Sequence, residues 1–493
     1  MPIWRHNPTL YEINTWVWLS DLSRKHGTAV NLNSVPAAEW EAIAKFGFDA
    51  VWLMGVWERS PAGIAIANRN ENLLADFRRA LPDFRAQDNV GSPYCIRRYV
   101  VDDHLGGSAG LASARKELDK RGMKLLLDFV PNHVAPDHPW VIEHAEYFIR
   151  GSADDAKNDP ASFVEVQGNV FACGRDPYFP AWPDVLQLNA FQPKLRQAVI
   201  ETLSSIANQC DGVRCDMAML LLNAIFERTW GSRAGQPPAT EYWDEVIPAV
   251  KREHADFLFI AEAYWDLEWE LQQHGFDFCY DKRLYDRLEH GSPESVRLHL
   301  CADHAYQEKL LRFIENHDEP RAAVTFSPGK ERAAAVATFT QLGARLFQEG
   351  QFEGRKTRLP VFLGRRPDEP IDGQLQDFYA KLLKVIQAPV FHDGQWSLCE
   401  RTGWPDNTSF ENLVAWSWIN DVDRYLIVAN LSEDAVQARV RLTWGDLRGV
   451  SWLLVDVLSS ATYERDGDEL VSPGLYIELE PWGYNCFRIN HAL

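Results

Sequence analysis

The sequence predicts an α/β fold: a (β/α)8 TIM barrel with a short irregular insertion after the third strand and a C-terminal antiparallel β-sandwich domain. Three observations predict it. Short, nearly continuous apolar runs alternate with helical patterns, as in a parallel sheet covered on both faces. Eight such runs can be counted, the number that a closed β/α barrel requires. Near Val390 the helical patterns stop and short alternating runs of antiparallel type take over.

In chain order, the aromatic run Tyr11–Leu19 predicts the first strand and Trp40–Phe46 the first helix. Ala50–Met54 predicts the second strand. A polar excursion follows from Glu58 to Val90, helical around Leu73–Leu81. Gly107–Arg121 has helical spacing closed by Gly122, a residue type suited to the left-handed turn that ends helices. Lys124–Val130 predicts the third strand, and the Pro-, Asp- and aromatic-rich Val134–Asn189 the insertion. The alternation then resumes. Leu195–Ala207, Tyr242–His254, Ser295–Arg312, Glu331–Gln341 and Leu375–Ile386 read as helices. Gly212–Ala218, Phe257–Ala263, Phe276–Tyr280, Phe313–Asn316 and Ala344–Phe347 read as strands four to eight. Beyond them Leu413–Trp418, Tyr425–Asn430, Ala438–Leu442 and Tyr476–Leu479 are expected in the β domain. The expected division is 1–133 and 190–389 for the barrel, 134–189 for the insertion and 390–493 for the β domain.

The formal net charge of −20 over 493 residues argues against nucleic acid as a partner. No apolar run reaches the roughly 18 residues of a membrane span, so no membrane association is expected. Met1-Pro2-Ile3-Trp4-Arg5-His6 has no apolar stretch after its charge, so no leader is expected. The eight Cys are scattered without metal-type spacing and fit a reduced, cytoplasmic protein. Nineteen Trp suit both core packing and stacking on sugar faces. Oligomeric state is not legible.

Polar residues gather where the apolar runs end. The third ends in Asp128-Phe129-Val130-Pro131-Asn132-His133, the fourth in Arg214-Cys215-Asp216, the fifth in Glu262 and the seventh in Asn316-His317-Asp318. In a β/α barrel those ends form the active face. One such ending is a cap or a turn; four on one face point to a site. The chemistry they suit is glycoside cleavage with retention, which needs one carboxyl as nucleophile and a second as acid then base. Arg214 and Asp216, two apart on a strand, project to one side, and the cation keeps the carboxylate charged. Asp216 is therefore the expected nucleophile. Glu262, in an apolar strand with few charges nearby, is the expected general acid, its pKa raised by desolvation. Asp318 is expected to bind sugar hydroxyls and favour a cationic transition state, with His133 and His317 donating hydrogen bonds to the same ring.

These four stretches resemble the conserved regions of the α-amylase family of glycoside hydrolases, in order and in approximate spacing. The resemblance implies a barrel, an insertion after strand three and a C-terminal β domain. It implies Asp216 as nucleophile, Glu262 as acid/base and Asp318 as transition-state stabiliser. It also implies Arg214, His133 and His317 in the glucose subsite, Tyr94 stacking on that sugar, and Asp128 and Asn132 as supports, Asn132 by anchoring the insertion. The substrate it implies is an oligosaccharide or glucoside with α-linked glucose. A transglycosylase or phosphorylase is the alternative. A non-catalytic sugar-binding protein is disfavoured, because neither carboxylate of the pair is lost.

The departures are specific. Where many endo-acting members carry Lys-His after the second region, this chain has Met219-Leu220, which argues against calcium dependence and a starch-type aglycone site. No cofactor and no metal is expected. Gly91 stands where the oligo-1,6-glucosidase-like members have an Asp three residues before the stacking Tyr. A basic cluster, Arg355, Lys356, Arg358, Arg365 and Arg366, follows strand eight. It reads either as a solvated loop pairing with Asp368, Glu369 and Asp372 or as a phosphate site.

Overall fold

The computed structural model describes residues 4–492. The first three residues of the leader reading above lie outside them. Eight parallel strands close a barrel: β1 (Thr9–Asn14), β2 (Ala50–Met54), β3 (Lys124–Phe129), β4 (Gly212–Cys215), β5 (Leu258–Ala261), β6 (Phe278–Tyr280), β7 (Leu310–Arg312) and β8 (Ala344–Gln348). Neighbours in the barrel are neighbours in sequence, and β1 closes against β8. The strands β2 to β5 are almost wholly buried, which is why they read as unbroken apolar runs.

The register around β4 is tight. Gly212 pairs with Leu126 of β3 and Leu258 of β5. A Cβ on Gly212 would lie 2.6 Å from the Leu258 Cβ and 2.8 Å from the Leu126 Cδ2, so only glycine fits between these strands.

Three expectations are corrected. Tyr11–Leu19 is not one strand: β1 stops at Asn14, whose side chain accepts from the Val17 N–H and starts the helix Thr15–His26. Its Trp and Val suit strand or helix, and the cap decided. The seventh strand precedes Phe313, occupying Leu310–Arg312, and the helix expected up to Arg312 ends at Leu300. The insertion is not irregular. It holds a four-stranded antiparallel sheet in the order His133–Val134, Trp182–Gln187, Asn169–Gly174, Phe163–Val166. Its hairpin turns at Gln167 (φ 52°) and Gly168 (φ 75°), the two left-handed positions of a tight hairpin turn.

The chain divides into two compact units, residues 11–280 with 357–368, and residues 1–10, 281–356 and 369–493. The second unit carries the sandwich. A six-stranded sheet, including Leu413–Ile419 and Arg424–Asn430, faces a three-stranded sheet of Glu400–Thr402, Val436–Arg441 and Leu475–Leu479. Leu413, Leu426, Val440 and Ile477 are among the core residues these sheets share. No helix among the described residues is long and apolar enough to cross a membrane.

Candidate active site

The C-terminal end of β4 carries the centre of the site. Arg214 is 1% exposed and lies among the rings of Tyr94 (5.1 Å), Trp52 (5.6 Å) and Tyr280 (5.8 Å). Its Nη1 donates to Asp216 Oδ1 at 2.7 Å, its Nη2 lies 2.7 Å from Glu262 Oε2, and its Nε donates to the Tyr280 hydroxyl at 3.3 Å. Burial opposes its charge. The Glu262 carboxylate, ahead of Tyr94, Tyr280 and Asp216, outweighs that and raises its pKa well above normal. A buried guanidinium is tolerable only when paired this fully.

The backbone then turns sharply. Met217 adopts a left-handed conformation (φ 44°, ψ 47°), uncommon for a residue with a side chain and concentrated at functional sites. The turn aims the Met217 N–H at Glu262 Oε2, 2.6 Å away, and the Ala218 N–H at the Glu262 carbonyl, 3.1 Å away. The Tyr264 hydroxyl donates to Glu262 Oε1 at 3.0 Å. The expectation that Glu262 has few charges nearby is therefore corrected. A cation and a backbone N–H both face one oxygen, and both favour the carboxylate form. Linear sequence could not show this, because the guanidinium arrives from the neighbouring strand.

Around this centre stand the other residues of the first unit. His133 is buried, its ring 5.3 Å from Trp182 of the insertion. Burial lowers its pKa, against the opposing pull of Asp216 and of the Tyr94 backbone, and so favours the neutral imidazole. Asn132 and Gln187 pair through their amides, with Gln187 Nε2 donating to Asn132 Oδ1 at 2.9 Å and Asn132 Nδ2 donating back at 3.2 Å. That pair ties the end of β3 to the last strand of the insertion. Asp128 is fully buried. Its Oδ2 accepts from the Gly55 N–H at 2.9 Å and its carbonyl from the Trp57 indole at 2.8 Å.

His317 and Asp318 belong to the second unit. Asn316 Oδ1 accepts from the N–H groups of Asp318 and Glu319, both at 2.9 Å, a local turn that presents Asp318. His317 Nε2 lies 2.9 Å from Asp318 Oδ2. The His317 side chain is 4% exposed and that of Asp318 37%. The structure thus brings Asp216, Glu262, Arg214, Tyr94 and His133 into one cluster of the first unit and pairs His317 with Asp318 after β7. Sequence reasoning missed Trp52, Tyr280, Tyr264 and the Met217 N–H. The signal for Tyr280 was an aromatic closing the sixth apolar run. For Met217 there was none, since backbone conformation is not written in a residue type.

The departures have structural counterparts. Met219 and Leu220 are buried in the turn Ala218–Leu221. Gly91 has φ 87°, and its carbonyl accepts from Arg59 Nη1. Several residues of the basic cluster and of its acidic neighbours have partners in the structure. Arg365 grips Asp88 (2.7 and 2.8 Å) and Asp83, and Arg366 pairs with Asp21. Asp368 pairs with Arg24, Glu369 accepts from the Lys356 N–H, and Asp372 caps the helix Gly373–Ile386. Among the described residues no group of three or more His, Cys, Asp or Glu is arranged to hold a metal ion.

Similarities run the same way. Residues 39–351 match the family model "Alpha amylase, catalytic domain". The α-amylase MalA of Haloarcula japonica is 23% identical over 394 residues, 77% of this chain and 49% of that protein. An α-1,4-glucan:maltose-1-phosphate maltosyltransferase of Picrophilus torridus is 21% identical over 411 residues, 78% and 58% of the two chains. The chain thus spans about half the length of these curated relatives. Among solved structures, the noncanonic maltogenic α-amylase AmyB of Thermotoga neapolitana superposes with a TM-score of 0.69 at 19% identity, covering 99% of both chains. With the family model spanning more than half of its length and the barrel closed around the matched segment, the chain belongs to the α-amylase family.

Proposed function

We propose that the protein is a retaining glycoside hydrolase acting on α-linked glucosides or α-glucan oligosaccharides through a covalent glycosyl-enzyme intermediate. The observation that carries this reading is the single guanidinium of Arg214 spanning Asp216 and Glu262. Two carboxyls on one guanidinium favour the roughly 5–5.5 Å separation of retaining enzymes over the wider gap that admits a water. In this reading Asp216 attacks the anomeric carbon and breaks the glycosidic bond. Glu262 gives its proton to the departing oxygen, then takes one from the incoming water. Asp318 faces the charge that develops on the ring. Tyr94 stacks on the sugar, and His133, His317 and Arg214 bind its hydroxyls. Asp128 and Asn132 hold the loops that carry them.

A second reading is transfer to a sugar or to phosphate, because several relatives carry the name α-1,4-glucan:maltose-1-phosphate maltosyltransferase. Both reactions share the covalent intermediate and differ in what attacks it. The engagement of Arg365 and Arg366 in ion pairs weighs against those two as a phosphate cradle. A cytoplasmic setting is supported by eight thiols without a disulfide.

The test is Asp216→Asn with product analysis. The variant keeps its fold and its melting temperature within a few degrees, and hydrolysis of α-linked oligosaccharides falls by roughly three orders of magnitude or more. Full activity in the folded variant would exclude the reading. Products resolved with and without phosphate or a sugar acceptor separate hydrolysis from transfer.

A further inference from the structure

We infer that Tyr264 is a positioning residue that assigns the catalytic proton of Glu262 to one oxygen, Oε1. The inference rests on the reading of Glu262 as acid/base. The two oxygens of this carboxyl have partners of different kinds. Oε2 meets the Met217 N–H at 2.6 Å and the Arg214 Nη2 at 2.7 Å. A backbone amide and a guanidinium can only donate. A proton on Oε2 would face two donors, so the protonated carboxyl cannot carry it there. Oε1 meets the Tyr264 hydroxyl at 3.0 Å. A hydroxyl donates or accepts as required, so Oε1 is tolerated in both states.

The cycle follows with atoms in balance. In the ionised state the Tyr264 O–H donates to Oε1. When Glu262 is protonated, the hydroxyl turns, and the Oε1–H is free to pass to the departing glycosidic oxygen as the sugar–oxygen bond breaks. When water then attacks the sugar–enzyme ester, Oε1 takes its proton and the Tyr264 hydroxyl is again aligned to accept or donate. No net proton is gained or lost by Tyr264.

The backbone holds the hydroxyl in place. Trp265 and Asp266, the next two residues, are both left-handed, with φ 63° and 67°. Two consecutive side-chain-bearing residues in that region are retained where the surroundings enforce them. Here the Trp265 ring packs edge-on against Tyr178 of the insertion, 4.8 Å between centroids, and Arg228 covers the Tyr178 ring at 4.7 Å. Tyr264 is thus pinned between a strand end and a packed turn. Charged and titratable groups near Glu262 include Arg214 on β4, which Asp216 shares, and the Tyr280 hydroxyl on β6.

The sign of the expected effect is fixed. A hydrogen bond donated to the carboxylate favours the charged form and lowers the pKa. Tyr264→Phe removes it while keeping the ring, so the basic limb of kcat/KM against pH moves up by about 0.5–1 pH unit. The limb of wild type and of a remote variant such as Tyr463→Phe stays put. A purely structural role would lower kcat at every pH and leave the limb in place, and that result overturns the inference. The carboxyl band of Glu262, identified by infrared difference against Glu262→Gln, is titrated in parallel and needs no substrate. Its midpoint should rise in Tyr264→Phe, and an unmoved midpoint overturns the inference as well. Failure of the functional reading is seen separately, as wild-type enzyme that neither cleaves α-glucosides nor is trapped at Asp216 by a fluorinated glucoside.

Discussion

Arg214 shows how one side chain gathers partners from several strands. It is a buried cation with a carboxylate on each terminal nitrogen and an aromatic hydroxyl on the third. A lysine in its place would present a point charge and could not span both acids in a fixed plane. Elsewhere a buried acid stands in the opposite condition. Glu331, 3% exposed, has its pKa pushed up to about 7, by burial first and by the Glu315 charge second, against the Tyr379 hydroxyl and Arg332. A carboxyl with a raised folded pKa is protonated in both states below the unfolded value, so it costs nothing there. Between pH 4.5 and about 7 the unfolded chain releases the proton and the folded chain keeps it, so stability falls as pH rises through that window. Glu331→Gln keeps an acceptor for the Tyr379 O–H and removes the titration. It should gain on the order of 2 kcal/mol over wild type at pH 7.5 and little at pH 4.5. Denaturant unfolding at the two pH values checks this, and an equal difference at both would refute it.

At the scale of the element, the β4 strand depends on the absence of a side chain at Gly212 as much as on the polar groups at its end. Any Cβ there meets backbone as well as side chain, with the Leu258 carbonyl 2.7 Å away. Gly212→Ala should push β4 from β5, separate Arg214 from Glu262, and cost roughly 1–3 kcal/mol as an overpacked core position. Activity should fall more than stability accounts for. Thermal unfolding and kcat/KM measured on one preparation test both, and an unchanged melting temperature would contradict the packing argument. Elements also explain the misreadings. The run from Tyr11 to Leu19 has the composition of a strand throughout, and a side-chain cap at Asn14 divides it. The seventh strand is short and interrupted in sequence by Arg312, a fully buried charge that composition would place outside. Arg312 sits there because Gln307 Oε1 accepts from it and the buried Asp281, itself paired with His299, lies 3.5 Å from its Nη1.

At the scale of the molecule, the sandwich is part of the folding of the second unit. Trp416 and Trp418, both fully buried, donate their indole N–H groups to the Thr340 hydroxyl (3.1 Å) and carbonyl (2.7 Å) at the end of the helix Pro328–Phe339. Arg401 of the sandwich reaches Glu294 on the helix Pro293–Leu300 at 2.6 Å. Deleting residues 395–493 would expose the apolar face behind Thr340 and leave these groups without partners. The truncated chain should be insoluble or lack a cooperative transition by circular dichroism; a soluble truncation with an unchanged melting temperature would refute this. The eight-strand barrel, the β domain and the residue types at the strand ends were legible in the sequence, because alternating burial and chain order repeat in linear patterns. What only the tertiary structure decided is how those residues are paired: that Arg214 serves Glu262 as well as Asp216, that Met217 turns its N–H onto the acid, and that Tyr264 stands on the other oxygen. The reason is physical. Burial leaves a mark on every residue of a strand, whereas a hydrogen bond between neighbouring strands depends on register and backbone angles that no single residue records.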